Sequence, residues 1–380
     1  MRAYREPTSS FRLLAQHLLR VAVHEPHRVP RLVLARVRER WRIGSDLRTA
    51  GEVLSQLGRE DKVHAGWRIQ TIKHPYWVPT GVTVLMVGPV LGPPELAMKL
   101  PHTNEGRASL ERQQEVQAAL HRDERLTTWN TLVPRPIGLG HVKGRAYFLE
   151  SVVPGHVALS SSTDRGEFAG MQAAAVSTIS HLHQRTAERV RVDAGILDRW
   201  IDRRLRVLAP VQFLPGTEGA MAEAIGTLQN RLHSALEGQK LQVSWIHGDY
   251  WLGNVLVGDD RVTPTGIIDW DRAGPGELPW HDLFHMLLFT RRYLDGGVSE
   301  IAAVLSGKDL WNRDEHEIFG TARAMLPDDG IDESIMLLLY WLRHTAATLT
   351  LYPNYARDPA YVSANVSPIL SEISQGAANS

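Results

Sequence analysis

Near the start of the chain, apolar residues recur at helical spacing. Phe11, Leu14, Ala15, Leu18 and Ala22 share one face. Leu34, Val37 and Trp41 suggest a second short helix after Pro30, and Asp46 stands where a third helix, ending at Gly58, would be capped. The pattern changes at residue 66. Trp67–Ile72, Val82–Val87 and Leu96–Leu100 are short β-branched or apolar runs, separated by Pro75, by Pro79-Thr80-Gly81 and by the stretch from Gly88 to Pro94. This spacing predicts an antiparallel meander. A helix over Ser109–Leu120 follows, then two strands over Val133–Leu139 and Arg145–Val152, joined through Gly138, Gly140 and Gly144. A sheet of about five strands with one inserted helix is therefore expected over roughly 66–152, ended by Pro154-Gly155. Beyond it, Met171–Leu182 and Leu197–Leu208 have helical period. Val243–His247, Val255–Val257 and Gly266–Asp269 are short strand-like runs. From Trp280 to Ile373 the period is helical again, and Ser374 to Ser380 read as a frayed tail.

A length of 380 residues exceeds one ordinary core and predicts two to three domains or lobes. Hydrophobic residues are 43% and charged residues 22% of the chain, which excludes a wholly disordered or fibrous protein. Lys plus Arg and Asp plus Glu both number 42, so a strongly basic nucleic-acid binder is not expected. With no cysteine, a disulfide framework, a thiolate nucleophile, Cys-ligated zinc and iron–sulfur clusters are all excluded. No apolar run reaches the ~20 residues of a membrane span. Leu13–Val23 is broken by Gln16, His17 and Arg20, so a secretory leader is not read there, and a cytoplasmic protein is expected. The charge balance hides an asymmetry. Residues 1–45 hold ten Arg against Glu6, Glu25 and Glu39, an excess of seven. Three readings compete for this basic segment: a helical subdomain packed on the following sheet, an amphipathic segment meeting an anionic membrane surface or a protein partner, and an organelle transit peptide.

The chemistry concentrates in one stretch, Trp245-Ile-His-Gly-Asp-Tyr-Trp-Leu-Gly-Asn-Val-Leu-Val257, followed by Thr265-Gly-Ile-Ile-Asp-Trp-Asp271. Phosphoryl transfer needs positioning more than covalent chemistry. It needs a carboxylate to accept a hydroxyl proton and hard oxygen ligands to hold Mg²⁺ against phosphates. Asp249 and Asn254, five apart on a tight loop, can supply both, and Asp269 at a strand end can complete the metal set.

These residues resemble the aminoglycoside phosphotransferase and choline kinase family, whose catalytic loop reads H-G-D-x-x-x-x-N and whose metal strand reads I-D-[WFL]-[DEG]. The resemblance covers roughly 66–350. It implies an α+β, bilobal protein-kinase-like fold, with an N-lobe antiparallel sheet and one helix over 61–153. A larger, mainly helical C-lobe would fill 154–380, and 1–60 would be a basic N-terminal extension. It implies that Asp249 is the catalytic base within the His247 motif, and that Asn254 and Asp269 bind Mg²⁺. Lys99 in Leu96-Ala-Met-Lys-Leu100 would hold the ATP phosphates, and Glu115 would pair with Lys99, although the apolar register of Val116 and Leu120 instead puts Gln113 at that place. The backbone at Glu150 and Val152 would meet the adenine edge. Two departures stand out, the ambiguity of the Glu that pairs with Lys99, for which Glu111 and Glu115 are both on offer, and the phosphate loop. No Gly-rich loop lies between the first two strands, where Lys73-His-Pro-Tyr-Trp-Val-Pro-Thr80 stands, and Gly138–Gly144 has the wrong spacing for one.

Trp280-His-Asp-Leu-Phe-His285 places His281 and His285 at i, i+4, a possible metal face, while the resemblance makes it a helix start whose Asp282 braces the catalytic loop. Asp271 is read equally as a support to the metal set or a cap. Residues 155–245 hold ten basic and nine acidic side chains, and residues 290–380 seven and twelve, so the expected acceptor region is not strongly acidic. A polycationic aminoglycoside is therefore not favoured over a neutral sugar, nucleoside or amino alcohol. Trp251 and Trp280 are candidates for stacking on a ring. The expected activity is ATP-dependent O-phosphotransfer to a small molecule, with ATP and Mg²⁺ as cofactors. The alternatives are a non-catalytic nucleotide-binding scaffold and nucleotidyl transfer on the same fold. A protein kinase is disfavoured, because Trp280 follows Asp269 too soon for a peptide-docking segment.

Overall fold

The computed structural model describes residues 29–60, 66–73, 81–161, 165–295, 301, 311–326 and 329–378. The helix expected over residues 11–22 and the turn at 74–80 lie outside them. The chain divides by contacts into two units, residues 1–102 with 140–149, and residues 103–139 with 150–380.

The first unit is built on a sheet. Strands β1 (Arg68–Lys73), β2 (Val82–Gly88), β3 (Leu96–Pro101), β4 (Pro136–Val142) and β5 (Arg145–Ser151) lie in the order β1-β2-β3-β5-β4, and β4 and β5 continue into the second unit. β2 pairs antiparallel with β1 and with β3, with Val84 opposite Lys99. The alternation seen in the sequence sets the burial: Thr83, Leu85 and Val87 are buried while Val82, Val84 and Met86 are half-buried. A helix, α1 (Val29–Arg59), covers this core through Ala50, Val53 and Leu57, which cluster with Leu85, Val87, Met98, Leu100, Tyr147 and Leu149.

α1 replaces the two short helices expected over this stretch. Asp46 does not start a helix; it sits inside one. Its buried carboxylate accepts from Thr83 Oγ1 (2.7 Å) and Arg145 Nη2 (2.6 Å), and lies 3.2 Å from His102 Nε2. Burial works to raise this carboxyl, but the bonds from His102, Arg145 and Thr83 outweigh it and hold it below its ordinary value. An Asp so committed to the sheet is not available to cap its own helix. The packing on the sheet comes from Ala50, Val53, Leu54 and Leu57, which follow the basic segment of residues 1–45.

The second unit is mainly helical. α2 (Asn104–Arg122) starts five residues earlier than the sequence pattern suggested, because Thr103 caps it, Oγ1 accepting from Gly106 N at 3.0 Å. Its contacts place it in this unit rather than in the expected 61–153 block. Its buried face meets Glu150 and the turn at Trp270–Arg272. α3 (Arg165–Arg185), α4 (Glu218–Leu236), α5 (Trp280–Asp295), α6 (Arg313–Met325), α7 (Glu333–Leu351) and α8 (Ser367–Ala378) follow. α8 takes up most of the stretch expected to fray, because Ile369, Leu370 and Ile373 are buried. Two small sheets complete the unit. One has the order β10-β9-β6, from Pro264–Ile267, Val255–Val257 and His156–Val157; the other has the order β11-β8-β7, from Gly274–Glu277, Lys240–Ile246 and Glu188–Arg191. β6, β7 and β11 escaped the sequence pattern because they are short and carry polar or glycine residues. Two apolar clusters flank these sheets. One gathers α3, α5 and α6 around Tyr250 and Trp270, the other α4, α7 and α8 around Trp200. Among the described residues, no helix is long and apolar enough to cross a membrane.

Candidate active site

β8 delivers the chain to His247-Gly248-Asp249, and the loop turns on Gly248 at φ +78°. A Cβ at Gly248 would run into the Arg272 carbonyl and the Arg343 guanidinium, so only glycine fits. Asp282, in the first turn of α5, fixes this turn. Its carboxylate accepts from His247 N (2.8 Å) and Gly248 N (2.7 Å), and stands 3.0 Å from His183 Nε2. Arg343 of α7 donates to Gly248 O (3.1 Å) and Arg272 O (2.8 Å), tying the loop to the segment after Asp269.

His247 is fully buried. Its Nε2 lies 2.9 Å from Ile268 O and its ring packs edge-on against Trp270 at 4.5 Å. Burial pushes its pKa down. These contacts make it a brace between the loop and the Asp269 strand. Asn254 closes the loop by donating from Nδ2 to Asp249 O (2.9 Å) and Asp249 Oδ2 (3.3 Å), and Asn254 O accepts from Ile268 N at 2.9 Å. The structure thus brings Asp249, Asn254 and the Asp269 strand end together.

Asp249 carries an electrostatic environment that the sequence did not advertise. Its Oδ1 is 3.4 Å from Arg272 Nη1 and 3.2 Å from His285 Nε2. Burial works to raise the carboxyl, but Arg272 first, then His285 and His344, hold it well below the usual carboxylate range. Asp269 is exposed and takes a left-handed backbone, φ 64° and ψ 62°. Asp271 accepts from Ser109 Oγ at 2.6 Å, and burial raises its pKa. It therefore links α2 to the turn.

Lys99 is buried on β3. Glu150 is buried and accepts from Gln113 Nε2 (2.6 Å) and Gln117 Nε2 (2.9 Å). Glu115, expected to pair with Lys99, lies on the exposed side of α2, whose buried side carries Gln113, Val116, Gln117 and Leu120. That buried side is the one the apolar register of Val116 and Leu120 marks in the sequence. Val152 is half-buried beyond the end of β5. Trp280 packs in the core at 6.3 Å from Phe284, whereas Trp251 is half-buried, edge-on to Phe289 at 4.8 Å. His281 and His285 diverge: His281 Nε2 faces Glu277 Oε2 (3.7 Å), and His285 faces Asp249. Arg272, His285, Arg343 and His344 were not read as part of the site. Only His285 left a local signal, its i, i+4 spacing from His281; the α7 pair reaches the loop through tertiary packing alone.

A family model described as the phosphotransferase enzyme family matches residues 83–318, well over half the chain. Among solved structures, a Ralstonia eutropha JMP134 protein described as a candidate aminoglycoside phosphotransferase matches 87% of this chain and 98% of its own, at 15% identity and a TM-score of 0.52. The GDP complex of an aminoglycoside 2'-phosphotransferase-IIIa matches 85% and 98%, at 12% identity and a TM-score of 0.50. A comparison with curated protein sequences finds no significant match. The chain belongs to the phosphotransferase enzyme family and has its kinase-like α+β fold.

Proposed function

We propose that this member of the phosphotransferase enzyme family moves the γ-phosphoryl group of ATP to a hydroxyl of a small molecule. The observation that supports this most is the Asp249–Asn254 loop, held by Asp282 and Arg343 from two separate helices. Such bracing suits a group that must be positioned rather than merely present.

In this reading Asp249 orients the acceptor hydroxyl and takes its proton as the oxygen attacks in line. Lys99 steadies the phosphates, and the backbone at Glu150 and Val152 meets the adenine edge. The amides of Gln113 and Gln117 hold the Glu150 side chain in place. His247 keeps the loop and the Asp269 strand in register.

The donor set fits a hard divalent cation. Asn254 Nδ2 is committed to Asp249, which leaves its amide oxygen as the atom that can serve a cation, and Asp269 adds a carboxylate. Asn254 and Asp269 would hold Mg²⁺, which when bound neutralises charge on the transferring phosphoryl. The acceptor is a sugar, nucleoside, amino alcohol or aminoglycoside-like molecule. Trp251, half-buried two residues after Asp249, is the side chain we assign to ring contact.

The test is incubation with Mg-ATP and a panel of hydroxylated acceptors, read by product mass. The expected product is heavier than its acceptor by one phosphoryl, about 80 Da. A gain of one nucleoside monophosphate would replace phosphoryl transfer with nucleotidyl transfer.

A further inference from the structure

Phosphoryl transfer leaves two histidines beside Asp249 without a task. One oxygen of Asp249 and one ring nitrogen each of His285 and His344 lie within 4.8 Å of one another. The two imidazole centroids are 5.0 Å apart. His344 Nδ1 is buried without a hydrogen-bond partner among the described residues, and His285 Nε2 is buried 3.2 Å from Asp249 Oδ1. A buried polar atom left unpaired costs about 1–3 kcal/mol, so His344 Nδ1 beside a carboxylate and a second imidazole points to a ligand. The other nitrogen of His285, Nδ1, lies 3.0 Å from the Tyr340 hydroxyl. A tautomer with its proton on Nδ1, donated to Tyr340, turns the Nε2 lone pair toward Asp249. Outer partners fix metal-binding imidazoles in this way.

We propose that Asp249, His285 and His344 form a binding site for a transition-metal cation of the zinc class. Two imidazoles and a carboxylate are a ligand set zinc accepts, with a fourth position left open. Mg²⁺, which prefers an all-oxygen octahedron, is disfavoured there. The site therefore differs in chemistry from the oxygen pair of Asn254 and Asp269. The Arg272 guanidinium, 3.4 Å from Asp249 Oδ1, opposes the cation and limits affinity. A cation bound here ties up the carboxylate that phosphoryl transfer needs. This consequence, unlike the site itself, rests on the phosphotransferase reading: micromolar-class zinc inhibits the enzyme in the presence of saturating Mg-ATP.

The test uses Co²⁺ as a visible probe, titrated into the full chain without nucleotide or acceptor. One Co²⁺ per chain is expected, with the intense d–d absorption of a low-coordinate nitrogen–oxygen site, displaced by one equivalent of Zn²⁺. His344→Phe and His285→Phe should weaken binding roughly 100-fold. Arg272→Gln should tighten it several-fold, a gain that a purely structural cluster would not give. Zinc X-ray absorption of the wild-type protein should show two imidazoles with oxygen ligands, and it decides the matter if a variant does not fold. Absence of stoichiometric binding, d–d bands retained in folded His344→Phe, or zinc ligation without two imidazoles would overturn the proposal. Because the binding measurement needs no turnover, its failure leaves the phosphotransferase reading standing, and a failed turnover assay leaves the metal result standing.

Discussion

Asp269 is the residue where backbone and charge separate most cleanly. Its left-handed backbone is a conformation that Asp and Asn enter more readily than most residues. Asp269→Asn therefore keeps the backbone and removes the charge. Because the side chain is exposed, the thermal midpoint should hold, while turnover should fall on the order of 100-fold through lost electrostatic stabilisation. Asp269→Ala loses the charge and also strains the backbone by about 1 kcal/mol, so it should melt earlier than the Asn variant. Equal melting of the two would remove the backbone argument. The H-G-D-x-x-x-x-N and I-D-W-D spacings made Asp249, Asn254 and Asp269 legible in the sequence, because a short loop and a neighbouring strand keep them close. Arg272 was equally close in sequence, but its role depends on which way the turn after Asp269 faces. His344 and Arg343 lie about ninety residues further on and left no local trace.

At the scale of the element, α5 holds the loop through one side chain. Asp282 satisfies two backbone N–H groups and stands against His183, all out of water. Its carboxyl stays ionised because the bond from His183 and the bond from the His247 backbone N–H outweigh the burial that would raise it. Asp282→Ala strands these donors and should cost on the order of 3 kcal/mol in urea unfolding. A change below ~1 kcal/mol would mean the loop is held by its other contacts. α1 makes a comparable case in the first unit. Leu57 is buried against the sheet, and Leu57→Ala should cost about 2–5 kcal/mol. The five-strand sheet was readable because its strands alternate and its turns carry Pro and Gly. α1 was read as broken, since Pro30 and Asp46 are ordinary punctuation in isolation. Only the bonds from Thr83 and Arg145 show that Asp46 serves the sheet.

The whole molecule should be sensitive to mild acid. Burial lowers the pKa of His247 and His344, and lowers that of His281 to about 3 from 6.5. Below about 6.5 the unfolded chain takes up protons on these rings while the folded chain does not. The unfolded state then binds more protons, so stability rises with pH across this window and is lost as pH falls through it. Carboxylates with depressed pKa, such as Glu277 at about 2, add to the loss only below ~4. The urea midpoint should therefore drop between pH 7 and pH 5, before the carboxylates titrate. A flat midpoint over that range would show that these histidines stay accessible to protons in the fold. The fold class was legible at this scale because a strand-rich stretch precedes a helix-rich one. The assignment of α2 to the second unit was not, since it depends on Ser109 meeting Asp271, 162 residues away.

The most direct test of the account compares wild type with Asp249→Asn, once an acceptor is found, in two measurements on the same samples. Mg-ATP binding is followed by calorimetry, and phosphoryl transfer by single-turnover product mass. The account predicts equal nucleotide binding and transfer reduced by several orders of magnitude in the variant, with the loss confined to the chemical step. Transfer at the wild-type rate by Asp249→Asn would contradict it, because the carboxylate that Asn254 and Arg272 hold in place would then have no part in the reaction.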